Sequence, residues 1–147
     1  MNFIVSASTD KGNVKSTNQD SLNVKVMTVN GEKIVLAVIC DGMGGLEKGE
    51  VASNAVVKVL CQWAVERLPI LAAKGITDFD TSREWNEIVV QYNEKIKIYG
   101  KKCGISLGTT LAAILMAYGR YYIVNVGDCR IYELKDGVRI LTKTRQL

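Results

Sequence analysis

Asn30-Gly31 sits between two runs rich in β-branched residues, and this arrangement forces the chain to reverse on itself. Ser21-Leu22-Asn23-Val24-Lys25-Val26-Met27-Thr28-Val29 leads in, and Glu32-Lys33-Ile34-Val35-Leu36-Ala37-Val38-Ile39-Cys40 leads out. Asn-Gly tolerates positive φ at both positions, which is what a two-residue hairpin loop demands. Such a loop pairs Val29 with Glu32. Counted away from the turn, the same register sets Ser21 opposite Cys40 and Asp20 opposite Asp41. Directly opposed Cβ atoms lie roughly 4.5–5.5 Å apart, and like charges there repel. Two ionised carboxylates at that separation need a raised pKa or a cation. Oxygen ligands of this kind suit Mg²⁺ or Mn²⁺. A bulge would instead slip the register and leave two ordinary strand-end aspartates.

A chain of 147 residues is one domain's worth or part of a larger protein, and 48% hydrophobic content can fill a core. The net charge of +4 is modest and its basic residues are scattered. Nucleic acid is therefore not an expected partner. No run approaches the ~18 apolar residues of a membrane span, and the N-terminus lacks a signal-peptide pattern, so no membrane is expected either. Cys40, Cys61, Cys103 and Cys129 form no CxxC pair, and we read them as reduced thiols of a cytoplasmic protein. There is no histidine. That excludes Ser-His-Asp and Cys-His catalysis within the chain. Carboxylates, Lys, Tyr, Cys or a metal must carry any chemistry.

Residues 3–8 read as a short strand and 11–19 as a polar loop. The return strand of the hairpin is apolar throughout residues 34–40, so both its faces are expected to be buried. Asp41-Gly42-Met43-Gly44-Gly45 breaks it. A wide apolar stripe of Val51, Ala55, Val59 and Trp63, with Ala52, Val56 and Leu60 beside them, predicts a helix over residues 49–68, closed by Pro69. Trp85, Ile88, Val89, Tyr92, Ile96 and Tyr99 recur at helical spacing, with Ser82 as N-cap. Residues 104–108 read as loop and 109–118 as strand. Gly119-Arg120 reads as a two-residue turn into residues 121–126, a register that sets Leu111 opposite Asp128. After Gly127-Asp128, strand resumes over 129–134, and Asp136-Gly137 turns into 138–141. Strands in blocks and helices in a block argue for an α+β fold on antiparallel sheet.

Around Asp41, Gly42 would let the backbone carbonyl turn toward a ligand, while Gly44 and Gly45 remove side chains that would block a substrate. Lys15, in the loop entering the hairpin, is placed to reach a phosphate near the carboxylates, although a lone Lys in a polar loop is by default solvated. Asp128 reads equally well as a site residue or as a bulge residue satisfying backbone groups.

Five strings in order carry a resemblance: Lys15-Ser16-Thr17-Asn18-Gln19-Asp20, Val38-Ile39-Cys40-Asp41-Gly42-Met43-Gly44-Gly45, Gly49-Glu50-Val51-Ala52-Ser53, Gly108-Thr109-Thr110-Leu111, and Val126-Gly127-Asp128-Cys129-Arg130-Ile131-Tyr132. Together they resemble the metal-dependent serine/threonine protein phosphatases of type 2C in their bacterial form. The resemblance implies a β-sandwich of two antiparallel sheets flanked by helices, incomplete at the C-terminus of residues 1–147. It implies two Mg²⁺ or Mn²⁺ ions and a metal-bridging water that attacks phosphorus, with phosphorylated proteins as substrates. Carried over by position, Asp41 would bridge the metals, Gly42 would offer its carbonyl, Asp20 would hold metal or metal-bound water, and Gln19 would act through water. Asp128 would bind an additional, weaker metal.

Lys15 stands where many members place a phosphate-clamping Arg, and a Lys offers no bidentate fork. Met43 stands where eukaryotic members place a His, as is common in bacterial members. The later metal-binding aspartates of the family are absent, so the chain is expected to be an N-terminal portion with little activity alone and a tendency to self-associate. The competing expectation is a non-catalytic pseudophosphatase or regulatory module that binds a phosphorylated partner.

Overall fold

The computed structural model describes residues 2–44 and 48–142. The chain runs β1 (Ser21–Val29), β2 (Glu32–Cys40), β3 (Gly42–Gly44), α1 (Gly49–Lys74), α2 (Asp78–Cys103), β4 (Leu107–Thr109), β5 (Leu111–Ala117), β6 (Arg120–Val126), β7 (Tyr132–Leu134) and β8 (Val138–Ile140). An antiparallel sheet in the order β1-β2-β5-β6 carries the core. The pairs β3-β4 and β7-β8 form separate two-stranded ribbons.

The first hairpin has the expected register, from Val29↔Glu32 to Ser21↔Cys40. Asn30 and Gly31 both adopt positive φ, at 50° and 79°. Alternation then decides which side chains meet the helices. Ile34, Leu36, Val38 and Cys40 point into the core with Leu111, Ala113, Leu115 and Ala117 of β5. There they meet Val56, Leu60, Ala64 and Leu68 of α1 and Trp85 of α2. Burial pushes the Cys40 thiol up to about 12, as expected for a cysteine used as a small hydrophobe.

The opposite face of β2 departs from expectation. Val35 is buried, but Ala37 is half-covered and Ile39 is 51% exposed. No second layer of described residues closes over that end of the sheet. Residues 3–8 form no strand for a related reason, since no neighbouring strand pairs with them.

Both helices are longer than their sequence signals. Pro69 lies inside α1, which continues to Lys74. A proline there forfeits the bond to the Val65 carbonyl, but Val65 lies on the exposed side, where an unpaired carbonyl costs less than in the core. Burial of Leu68 and Leu71 on either side of Pro69 outweighs the loss. α2 begins before Ser82, at an N-cap formed by Thr77, whose hydroxyl accepts from the Asp80 amide at 3.1 Å. It ends on Gly104 in the left-handed region.

The turn between β5 and β6 is Tyr118-Gly119, with both φ positive, and Ala117 pairs with Arg120. The expected Gly119-Arg120 turn is therefore displaced by one residue, and Leu111 faces Val126 instead of Asp128. Tyr118 is held in this unusual conformation by its hydroxyl, which donates to the Val29 carbonyl at 3.2 Å. In the last ribbon Leu134 pairs with Val138, so the loop holds three residues where Asp136-Gly137 alone was expected, and strand resumes only at Tyr132.

The two helices are fastened by Glu84. Its carboxylate accepts from the Trp63 indole at 2.6 Å and from both Nε and Nη2 of Arg67, at 3.1 and 2.6 Å. Trp63 also meets Trp85 edge to face, with ring centroids 5.4 Å apart. The Arg67 hydrogen bonds hold the Glu84 carboxyl below its usual range, helped by Trp63 and opposed by burial. A depressed carboxylate stabilises the fold above its unfolded value, and this contribution fades as pH falls through the lower folded value. Glu84→Ala leaves a buried indole N–H and an arginine without their partner. We expect it to lower unfolding free energy by roughly 2 kcal/mol at pH 7 in urea melts, with the gap to wild type shrinking below about pH 4.

Candidate functional site

The candidate residues converge at the end of the sheet away from the Asn30-Gly31 turn. The β1-β2 ladder stops at Ser21↔Cys40, and Asp20 and Asp41 follow directly beyond that last pair. Their carboxyl groups are close enough for the charge of Asp20 to act on Asp41. Asp41 is raised above the ordinary carboxylate range, first by desolvation from the surrounding chain and then by the charge and hydrogen bond of Asp20. Lys15 opposes the rise, and Asp128 adds to it most weakly. By exposed area Asp41 is open to solvent. The packed backbone on its inner side accounts for the desolvation while its tip stays accessible.

Backbone contacts hold each aspartate from below. The Asp41 amide donates to Thr110 Oγ1 at 2.8 Å, and its carbonyl accepts from the Thr110 amide at 2.9 Å and the Thr109 hydroxyl at 3.1 Å. The Asp20 amide donates to Asn18 Oδ1 at 3.0 Å, a local turn that an Asn is suited to make. Gln19 is buried beneath the pair. Its side-chain oxygen accepts from Lys15 Nζ at 3.0 Å, and its carbonyl accepts from the Gly42 amide at 3.2 Å and from Ser53 Oγ at 2.7 Å.

Close approach explains Gly42 better than a mobile turn does. A Cβ there would collide with the carbonyl oxygens of Gln19 and Gly49. Gly49, the first residue of α1, is its counterpart, since a Cβ on it would lie 2.7 Å from the Gly42 carbonyl carbon. Gly44 packs against Leu107 and Gly49 within β3, whose partner β4 includes residues expected to be loop. Gly45 lies outside the described residues.

Asp128 follows Gly127, whose positive φ of 98° and tight contact with the Thr110 methyl leave no room for a side chain. Thr110 also contacts Cys129 Sγ at 3.1 Å. Asp128 thus reaches the neighbourhood of Asp41 through the turn after β6, and the expected cross-strand pairing with Leu111 does not occur. Lys15, Gln19, Asp20, Asp41, Gly42 and Asp128 are all brought to this end of the sheet. Ser53, Thr110 and Gly49 sit within the five strings, but reading the residues gave them no task. Nothing short of the hydrogen-bond geometry reveals their roles.

Residues 10–146 match the family model of protein phosphatase 2C. The serine/threonine phosphatase stp of Listeria innocua is 35% identical over 143 residues, covering 95% of this chain and 53% of that protein. PstP of Mycobacterium tuberculosis is 33% identical over 131 residues, covering 89% of this chain and 23% of that protein. Among solved structures, the catalytic domain of PstP in complex with two manganese ions superposes with a TM-score of 0.71 at 30% identity, over 92% of this chain and 53% of that one. Stp1 of Staphylococcus aureus superposes with a TM-score of 0.71 at 27% identity, over 90% and 50%. This chain spans about half the length of the Listeria relative it matches. The match across nearly all of its own length, with the same antiparallel sheet and helix pair, shows that the chain belongs to the protein phosphatase 2C family.

Proposed function

We propose that Asp20 and Asp41 hold Mg²⁺ or Mn²⁺ in a protein that hydrolyses phosphoserine and phosphothreonine in other proteins. The reading rests on one observation: Asp20 and Asp41 both follow the last pair of the β1-β2 ladder, and Asp41 is raised by desolvation and then by Asp20. A hard divalent cation relieves that repulsion with the ligand type it prefers. The family supports the reading, as does the manganese complex of the PstP domain. When bound, such ions polarise a phosphoryl group and lower the pKa of neighbouring water. Gly42 is the candidate carbonyl donor, Gln19 acts through water, and Asp128 is the candidate for a further, weaker ion. Lys15, held near the pair by its bond to Gln19, supplies a cation for the phosphate.

Among the described residues no three acidic, His or Cys side chains converge to hold a metal. Two carboxylates and one carbonyl are a sparse set for two ions, so this chain by itself binds them weakly and turns over little. No described helix is long and apolar enough to cross a membrane. The outer face of the sheet shows Val26, Ile39 and Tyr121 to solvent, and β1 and β6 are its edge strands, a combination that recruits other chains.

Three measurements follow from this reading. Asp20→Asn removes the charge that raises Asp41. A raised carboxyl destabilises the metal-free fold as pH climbs above the unfolded value of ~4, so the variant should melt about 1–2 °C higher than wild type at pH 7 and equally near pH 3. It should also lose the Mn²⁺-induced rise in melting temperature, and retention of that rise would count against Asp20 as a ligand. With excess Mn²⁺ and p-nitrophenyl phosphate or a phosphopeptide, turnover by this chain should be low and should vanish in Asp41→Asn; vigorous turnover would refute the sparse-ligand argument. Light scattering should show self-association, and a clean monomer would speak against it.

A further inference from the structure

Gln19 O is the point where three segments of the site meet: the loop carrying Asp20, the strand end carrying Asp41 and Gly42, and the start of α1. Ser53 provides the helix's share of that junction. It is completely buried, one turn beyond Gly49 on the same face of α1.

The direction of its hydrogen bonds follows from counting protons. Ser53 Oγ has a single hydrogen and lies 2.7 Å from the Gln19 carbonyl, 2.9 Å from Ser21 Oγ and 3.3 Å from the Glu50 carbonyl. A carbonyl can only accept, and Gln19 O is the shortest contact, so Ser53 donates to it. Ser21 must then donate to Ser53. One side chain thereby bonds the residue before Asp20 and the residue after it. The Gln19–Asp20 peptide unit is fixed from the helix, and the Ser21 side chain just beyond Asp20 is tied to the same hydroxyl, without any contact to the Asp20 carboxyl itself. Gln19 O in turn accepts the Gly42 amide at 3.2 Å, so the same junction sets the spacing between Asp20 and the Asp41-Gly42 segment.

We propose that Ser53 is a positioning residue for the Asp20–Asp41 pair, holding the two carboxylates at the separation a divalent cation requires. An anchor that served only to dock α1 would have no reason to land on both neighbours of one acidic residue. The inference deepens the metal reading given above and rests on it.

Ser53→Ala tests this in the 147-residue chain, with Mn²⁺ as the probe. Partners that orient ligands typically influence metal affinity by tenfold or more, so free-Mn²⁺ electron paramagnetic resonance should report a dissociation constant about tenfold weaker than wild type. In nitrogen-15 spectra Mn²⁺ should broaden the amides of residues 19–20 and 41–42 together in wild type. In the variant it should spare 19–20. Without metal, the Gly42 amide should exchange with solvent roughly tenfold faster in Ser53→Ala. A folded Ser53→Ala chain with wild-type Mn²⁺ affinity overturns the proposal. Should Ser53→Ala fail to fold, Ser21→Ala removes only the hydroxyl that orients Ser53, and it should weaken Mn²⁺ and quicken Gly42 exchange in the same sense; no change in either overturns the proposal. If wild type binds no Mn²⁺, the metal reading falls by itself, and the Gly42 exchange rate still decides whether Ser53 holds the junction.

Discussion

The nine-pair register between β1 and β2 is the constraint from which the candidate site follows. Side chains alternate faces along a strand, so a one-residue slip would turn Ile34, Leu36, Val38 and Cys40 out of the core and expose all four. The energy of burying them beneath α1 is thus also the energy that fixes where the hairpin's open end falls. Asp20 and Asp41 lie one step beyond that end and inherit their proximity from it. Their mutual repulsion is small beside the cost of unburying four apolar side chains, at roughly 1.5–3 kcal/mol each. The sheet can therefore hold two acids together although they oppose it.

Backbone contact completes what register begins. Gly42 and Gly49 approach until neither tolerates a Cβ, which seats the first turn of α1 against the end of β2. The helix cannot shift along the sheet without breaking that contact, and its buried Leu60, Ala64 and Leu68 hold it from the other end. Thr110 does the corresponding work on the β5 side, binding both peptide groups of Asp41 while its methyl meets Gly127. Both aspartates are consequently carried on backbone that is hydrogen-bonded from beneath, and only their carboxyl tips are left to respond to a ligand.

Features governed by local chemistry or by a strict period were legible in the sequence. Asn30-Gly31 has one favoured turn geometry, and it fixed the register that brings Asp20 to Asp41. The spacing of Trp85, Ile88, Val89 and Tyr92 specified α2, and the five strings pointed to the family. Features set by competition between local and distant contacts were not legible. Pro69 ends a helix by its own chemistry, but buried leucines on both sides carry α1 through it. Gly119-Arg120 is an acceptable turn, yet Tyr118 takes the positive φ because its hydroxyl reaches Val29 on a different strand. α2 starts at the Thr77 cap and not at Ser82, because the Thr77 hydroxyl accepts the Asp80 amide a turn earlier. The β3-β4 ribbon has only glycines, a Met, a Leu and a Thr to declare it, too little for any periodicity.

The electrostatics around Asp41 are unbalanced in a way that favours a cation over a proton as the relief. Burial, Asp20 and Asp128 all oppose its ionisation, and among the described residues Lys15 is the charge that supports it. Lys15 is itself tied through Nζ to the Gln19 side chain, which uses one of its three donors and holds it beside the pair. A proton shared by the pair would neutralise one charge and leave the other against a partly desolvated wall. A divalent ion neutralises both, and it does so from the solvent side, where Asp41 is open. With the inner side held by Gln19, Gly42 and Thr110, the exposed mouth is the side on which the pair is open to a ligand.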